Sequence, residues 1–260
     1  MVWKVPNKIC AKKGGSINEI INKRKTFLDK NLISNKFLII IIIVSLFSAV
    51  PSNGQTEVKE YSTVIQEIVV QREEIKKLYT ISDSTTKDSI VNQARKFLIK
   101  TIASDIFPFW YGTEWDFNGA TRIPGQGKIA CGYFVTNILT DVGFNIPRVQ
   151  WAQSASEVFI KKLAKNNIKR FSNRPISEVE KHLQDAGDGL YLVGLDSHVG
   201  FIIVKNNKTS FVHSNYYQPE IGVMSEKLNT DNPLKDSDYR VIGKLMSDEM
   251  IVNWILNTEY

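Results

Sequence analysis

The chain has 260 residues, 43% hydrophobic and 10% aromatic, which suits one well-filled domain and excludes wholesale disorder. Two cysteines exclude a disulfide-rich scaffold. The net charge of +6 suggests a polyanion partner only until it is located. Residues 1–36 hold nine Lys/Arg against Glu19 and Asp29, a net of +7, and the remainder holds 24 basic and 25 acidic residues, a net of −1. The basicity belongs to a leader, so no nucleic-acid partner is expected.

Phe37–Val50 follows, 14 residues without a charge. A basic flank, a short apolar run and then Ser52 and Gly54 describe a secretory signal peptide, with Gln55 as the first mature residue. The same run retained as an anchor would keep its basic end in the cytoplasm, and a buried core helix is the remaining option. Either export route puts the rest of the chain in the envelope or outside, with membrane contact only through 37–50. Cys10 lies in the leader and leaves Cys131 as the single mature thiol.

Residues 57–79 read as an amphipathic helix, a stalk or a packed arm, with 80–88 as a polar linker. A second helix is expected over 89–104. Residues 107–119 are aromatic-dense and broken by Pro108, Gly112 and Gly119. They form either a core-covering loop or a substrate platform faced by Glu114 and Asp116. Helices are expected over 131–142, with Gly143 as C-terminal cap, and over 151–165. Ser177-Glu-Val-Glu180 reads as a capping box for a helix to about Asp185. Strands follow at 190–193, 198–205, 209–213 and 240–246, with a turn at 206–208. Helices first and an antiparallel sheet second make an α+β domain.

Cys131 follows a loop and opens a helix, where unpaired N–H groups favour thiolate. His198 and His213 flank one hairpin and can meet across it, while His182 reads as a surface residue. A thiol on a helix start with two strand histidines supplies nucleophile, base and orienting group. A buried cysteine with two structural histidines fits the same residue types. Zinc held by Cys131, His198, His213 and Asp188 or Asp196 lacks any short-spaced ligand pair, so no metal or other cofactor is expected.

Six segments, in order, resemble the NlpC-type cell-wall peptidases, a branch of the papain-like cysteine peptidases. They are Pro108-Phe-Trp-Tyr-Gly-Thr113, Ala130-Cys-Gly-Tyr-Phe-Val135, Gly143-Phe-Asn-Ile-Pro-Arg148 with Gln153, Gly187-Asp188, Ser197-His-Val-Gly-Phe-Ile202 and Phe211-Val-His213. The resemblance covers about residues 90–246. It implies a papain-like α+β fold with the nucleophile at a helix start packed on an antiparallel sheet. It implies Cys131 as nucleophile, His198 as base and His213 as orienting residue. Trp110, Tyr111, Glu114, Asp116 and Arg148 are the candidate oxyanion or substrate contacts. The family's Asp before the nucleophile is Ala130 here, and its following Ser is Gly132. The family's tyrosine falls nearest Phe109, or Tyr111 in a loop shifted by two. The loop from Gly112 to Cys131 is longer than usual.

The resulting expectation is a leader over 1–54, an arm and linker over 55–88, a peptidase domain over 89–246 and a tail over 247–260. The expected function is an exported, monomeric cysteine hydrolase cleaving amide bonds in peptidoglycan stem peptides. The alternatives are an acyltransferase or amidase of the same fold acting on another substrate, and a non-catalytic binding domain anchored through 37–50.

Overall fold

A computed structural model describes residues 60–260; the leader 1–54, its apolar run 37–50 and Cys10 lie outside the described residues. Helix α1 (Tyr61–Ile81) comes first. It breaks at Ser82, and Asp83 then accepts from the Thr86 N–H to start helix α2 (Ser84–Lys100). A π-helical turn, Thr101–Ile106, passes into the short α3 (Phe107–Trp110), where Pro108 sits in the first turn and lacks only an N–H the helix does not use.

The boundary expected at residue 88 is not present. Val64 and Ile68 of α1 are buried, and Arg72 Nη1 donates to the Gly143 carbonyl at 2.8 Å. The arm is part of the core because its apolar stripe packs on neighbouring helices. The tail expected over 247–260 is instead helix α9 (Asp248–Leu256), capped by Ser247 and burying Met250, Ile251, Trp254 and Ile255. Trp254 Nε1 donates to the Val142 carbonyl at 2.6 Å. Residues 60–260 thus belong to one compact unit.

The remaining helices are α4 (Cys131–Asp141), α5 (Arg148–Ala152), α6 (Ser156–Ala164), α7 (Ile176–Ala186) and α8 (Pro233–Asp236). A break before Ser156 divides the single helix expected over 151–165. Helix α7 starts one residue before Ser177 and has no side-chain cap, so the expected capping box does not form.

Six strands form one sheet: β1 (Ile168–Ser172), β2 (Gly189–Leu195), β3 (Val199–Lys205), β4 (Lys208–Ser214), β5 (Val223–Glu226) and β6 (Tyr239–Lys244). Their order is β1-β6-β2-β3-β4-β5, with every pair antiparallel. The α+β class with an antiparallel sheet is therefore present. Leu190, Leu192 and Phe201 pack with Phe134, Val135 and Ile138 of α4. Tyr191, Val193 and Ile202 meet Val179 and Leu183 of α7 on the opposite face. Covered on both faces, β2 is buried along its whole length, which is why it reads as one apolar run. The β3–β4 turn uses Asn206 and Asn207 at φ 52° and 59°, values that asparagine tolerates in a two-residue hairpin turn.

Candidate active site

Cys131 is the first residue of α4. Its N-cap, Ala130, is extended and offers no side chain to the first turn. The backbone N–H groups at this helix start are therefore not occupied by a capping side chain. Gly132 follows because a Cβ there would run into the Ala152 carbonyl at the end of α5. The glycine where the resembled family has serine thus has a packing reason.

His198 is set by a tight turn, in which the Leu195 N–H donates to the His198 carbonyl at 2.8 Å. Phe201 pairs with Val212, so Gly200 faces His213 one step on and His198 reaches His213 along the diagonal. His198 Nε2 and His213 Nδ1 are 2.8 Å apart. The approach needs Gly200: a Cβ at that position would lie 2.8 Å from His213 Cβ and 2.6 Å from the Phe211 ring. His213 stacks on Phe211, centroids 4.0 Å apart.

The chain of contacts continues beyond His213. Its Nε2 lies 2.7 Å from Glu226 Oε1, and the Thr230 hydroxyl donates to Glu226 Oε2 at 2.7 Å. Glu226 is on β5, again diagonal to His213, since His213 pairs with Met224. Sequence reasoning did not single out Glu226, because β5 is four residues long and carries no clear alternation.

Burial sets the protonation states. It pushes the Cys131 thiol up, against backbone hydrogen bonds from Val199, Gly132 and the cysteine's own N–H. Burial, joined by the charge His213 would carry, pushes His198 well below the ordinary histidine range. Burial also lowers His213, with Glu226 opposing. Burial pushes the Glu226 carboxyl up, but hydrogen bonds from His213 and Thr230 outweigh it and hold the group below its usual range. At neutral pH the site therefore holds a thiol, two neutral imidazoles and a carboxylate. Burial thus opposes the thiolate that the helix start favours.

Cys131 and His198 line one cleft of about 640 Å³, together with Trp115, Phe117, Tyr133 and Tyr216. His198 Nδ1 is buried and has no hydrogen-bond partner among the described residues. The backbone N–H of Val199, the residue next to His198, lies near enough to favour the thiolate. Cys131, His198 and His213 are thus brought together.

The five candidate substrate contacts are placed elsewhere. Trp110 is fully buried and donates to the Tyr61 hydroxyl at 3.1 Å. Tyr111 is half-buried beside Ser225 of β5. Glu114 pairs with Lys128 at 3.2 Å. Asp116 Oδ1 accepts from the Asn118 N–H at 2.8 Å. Arg148 donates to Asn137 Oδ1 at 2.8 Å and lies over the Tyr133 ring. None of the five is among the cleft-lining residues, whereas Trp115 and Phe117, their immediate neighbours, are. In an extended loop, adjacent side chains point to opposite sides, and here the aromatic set faces the cleft.

Among the described residues, no group of three or more His, Cys, Asp or Glu is arranged to hold a metal ion. No helix among them is long and apolar enough to cross a membrane. Compared with family models, curated proteins and solved structures, the chain matches none of them.

Proposed function

We propose that the protein is a cysteine hydrolase of papain-like architecture that cleaves amide bonds, with peptidoglycan stem peptides as the substrate class its sequence resemblance suggests. One observation carries the reading. A thiol at an uncapped helix start shares a cleft with a histidine whose Nε2 is held by His213 and whose Nδ1 is buried without a partner. Buried polar atoms are nearly always paired, and an exception in a cleft beside a thiol fits a catalytic role.

The resting pair is neutral, so His198 acts as a general base. Its Nδ1 takes the thiol proton as Cys131 Sγ attacks the substrate carbonyl carbon. The tetrahedral oxyanion receives hydrogen bonds from the backbone N–H of Cys131 and its neighbours at the helix start. A contact of this kind is worth roughly 3–4 kcal/mol. His198 passes its proton to the leaving amine as the C–N bond breaks, leaving a thioester on Cys131. Water, deprotonated by His198, then releases the acid.

Trp115, Phe117, Tyr133 and Tyr216 give the cleft an aromatic wall. Among the described residues, no Lys, Arg, Asp or Glu lines it. The acyl segment next to the scissile bond is thus met by rings and by the neutral Asn118 and Gln153. Export, expected from residues 1–54, would place the site where stem peptides are found.

The test is digestion of purified peptidoglycan by the full chain and by Cys131→Ala, with products identified by mass spectrometry. New amines from the wild type alone support hydrolysis. A new amide or ester in place of the free acid indicates acyl transfer. Identical products from both proteins, or none from either, overturn the proposal.

A further inference from the structure

We infer that Glu226 is the positioning residue that fixes the tautomers of both histidines, and through them leaves the lone pair of His198 on Nδ1, the nitrogen that His213 does not engage. The inference deepens the proposed function and rests on it for its kinetic consequence, but not for its structural content.

A neutral imidazole has one N–H donor and one bare acceptor nitrogen, and a carboxylate only accepts. Glu226 Oε1 lies 2.7 Å from His213 Nε2, so Nε2 must carry the hydrogen and donate. His213 Nδ1 is then bare and can only accept. It lies 2.8 Å from His198 Nε2, so that nitrogen carries the second hydrogen. His198 Nδ1 is left without one. This is the buried nitrogen that has no hydrogen-bond partner among the described residues.

The order of donors is thus set from the carboxylate end. The opposite order would leave a hydrogen on His198 Nδ1, where it could not accept the thiol proton, and would set two acceptors against each other at Glu226. Thr230 secures the arrangement by donating to the other carboxylate oxygen, Oε2. The Asn232 amide in turn donates to the Thr230 oxygen at 2.9 Å, and the Thr230 hydroxyl hydrogen lies between Glu226 Oε2 at 2.7 Å and the Lys227 carbonyl at 2.9 Å. Wrong tautomers in a hydrogen-bonded base are known to cost rate without altering fold.

The test uses the full chain labelled with ¹⁵N-histidine. Only three histidines are present, and His182→Gln assigns the third. At neutral pH both His198 and His213 are expected as Nε2–H tautomers. In Glu226→Leu, His198, which Glu226 does not touch, is expected to lose its single tautomer. Glu226→Gln keeps an acceptor oxygen and is expected to restore it. Where Cys131-dependent turnover is found, Glu226→Leu should lose roughly 10²–10⁴-fold in kcat with little change in KM. A wild-type His198 in the Nδ1–H form, or a His198 unchanged by Glu226→Leu, overturns the inference. The wild-type spectrum decides even if the leucine variant does not fold. Absence of any Cys131-dependent turnover would sink the proposed function and leave the tautomer result standing.

Discussion

His198 Nε2 and His213 Nδ1 meet at 2.8 Å between a turn and the adjoining strand, with both side chains buried. The contact occupies one nitrogen of each ring and leaves His198 a single nitrogen for chemistry. His213→Ala would strand a buried polar atom, at a cost of about 1–3 kcal/mol. It would also free the ring of His198 to turn. The expected outcome is a folded protein with kcat lowered about 10²-fold or more, measured on a stem-peptide substrate under saturation. A variant with wild-type kcat would remove His213 from the mechanism.

Gly200 makes that contact possible. A methyl group at its Cβ position would press on His213 Cβ at 2.8 Å and on the Phe211 ring at 2.6 Å. Both are buried and cannot withdraw. Gly200→Ala is expected to lose about 1–3 kcal/mol in urea unfolding. It should also separate the ring pair, seen as altered histidine ¹⁵N shifts. Unchanged stability and unchanged shifts would contradict this geometry.

Acid should weaken the fold in a defined direction. Burial holds His198 and His213 below the ordinary histidine value. Below about pH 6.5 the unfolded chain therefore binds protons that the folded chain refuses, and stability falls as pH falls. Each such histidine contributes a slope of about 1.4 kcal/mol per pH unit until its folded value is reached. His182, lowered by partial burial, acts in the same sense. Asp141, which burial pushes up, acts in the opposite sense at the acidic end. Urea midpoints at pH 7.5 and 5.5 should show the lower value at 5.5, with a shallower fall in His198→Asn. Equal midpoints in the wild type would refute the burial argument.

Much of this centre was legible in the sequence, for physical reasons. Cys131 sits where a Gly-rich loop changes into an apolar helical period, and the histidines bracket a hairpin with Asn-Asn at its turn. Those are local signals. Glu226 and Tyr216 had none: one lies on a short edge strand and the other in an irregular loop, and only the sheet order brings them to the site. The charges at Glu114, Asp116 and Arg148 drew attention because charge suggests recognition. The structure uses them to hold a loop and a helix, while Trp115 and Phe117 between them face the cleft. The C-terminal helix was missed because Ile251, Trp254 and Ile255 find their partners on helices far back in the chain.

Tyr61 ties that N-terminal region to the nucleophile helix. Its hydroxyl donates to Asp141 Oδ2 at 2.7 Å and accepts from Trp110 Nε1 at 3.1 Å. Arg122 closes the cluster by pairing with Asp141. Tyr61→Phe leaves the buried indole N–H and one carboxylate oxygen without this partner, and should cost about 1–3 kcal/mol in chemical denaturation. Because the cluster lies at the far end of α4 from Cys131, kcat/KM of the folded variant should stay within about threefold of wild type, a small free-energy change. Loss of activity without loss of stability would show that Tyr61 does more than fasten α1.

The role of Cys131 as nucleophile is tested by trapping the covalent intermediate. The full chain is mixed with a stem-peptide substrate, quenched in acid within a turnover and digested, and the peptide containing Cys131 is weighed. A mass increase equal to the acyl fragment is expected on that peptide. No increase is expected in Cys131→Ala, and a greatly reduced one in His198→Ala. Substrate turnover by Cys131→Ala at the wild-type rate, or an acyl fragment found on any other residue, would contradict that role.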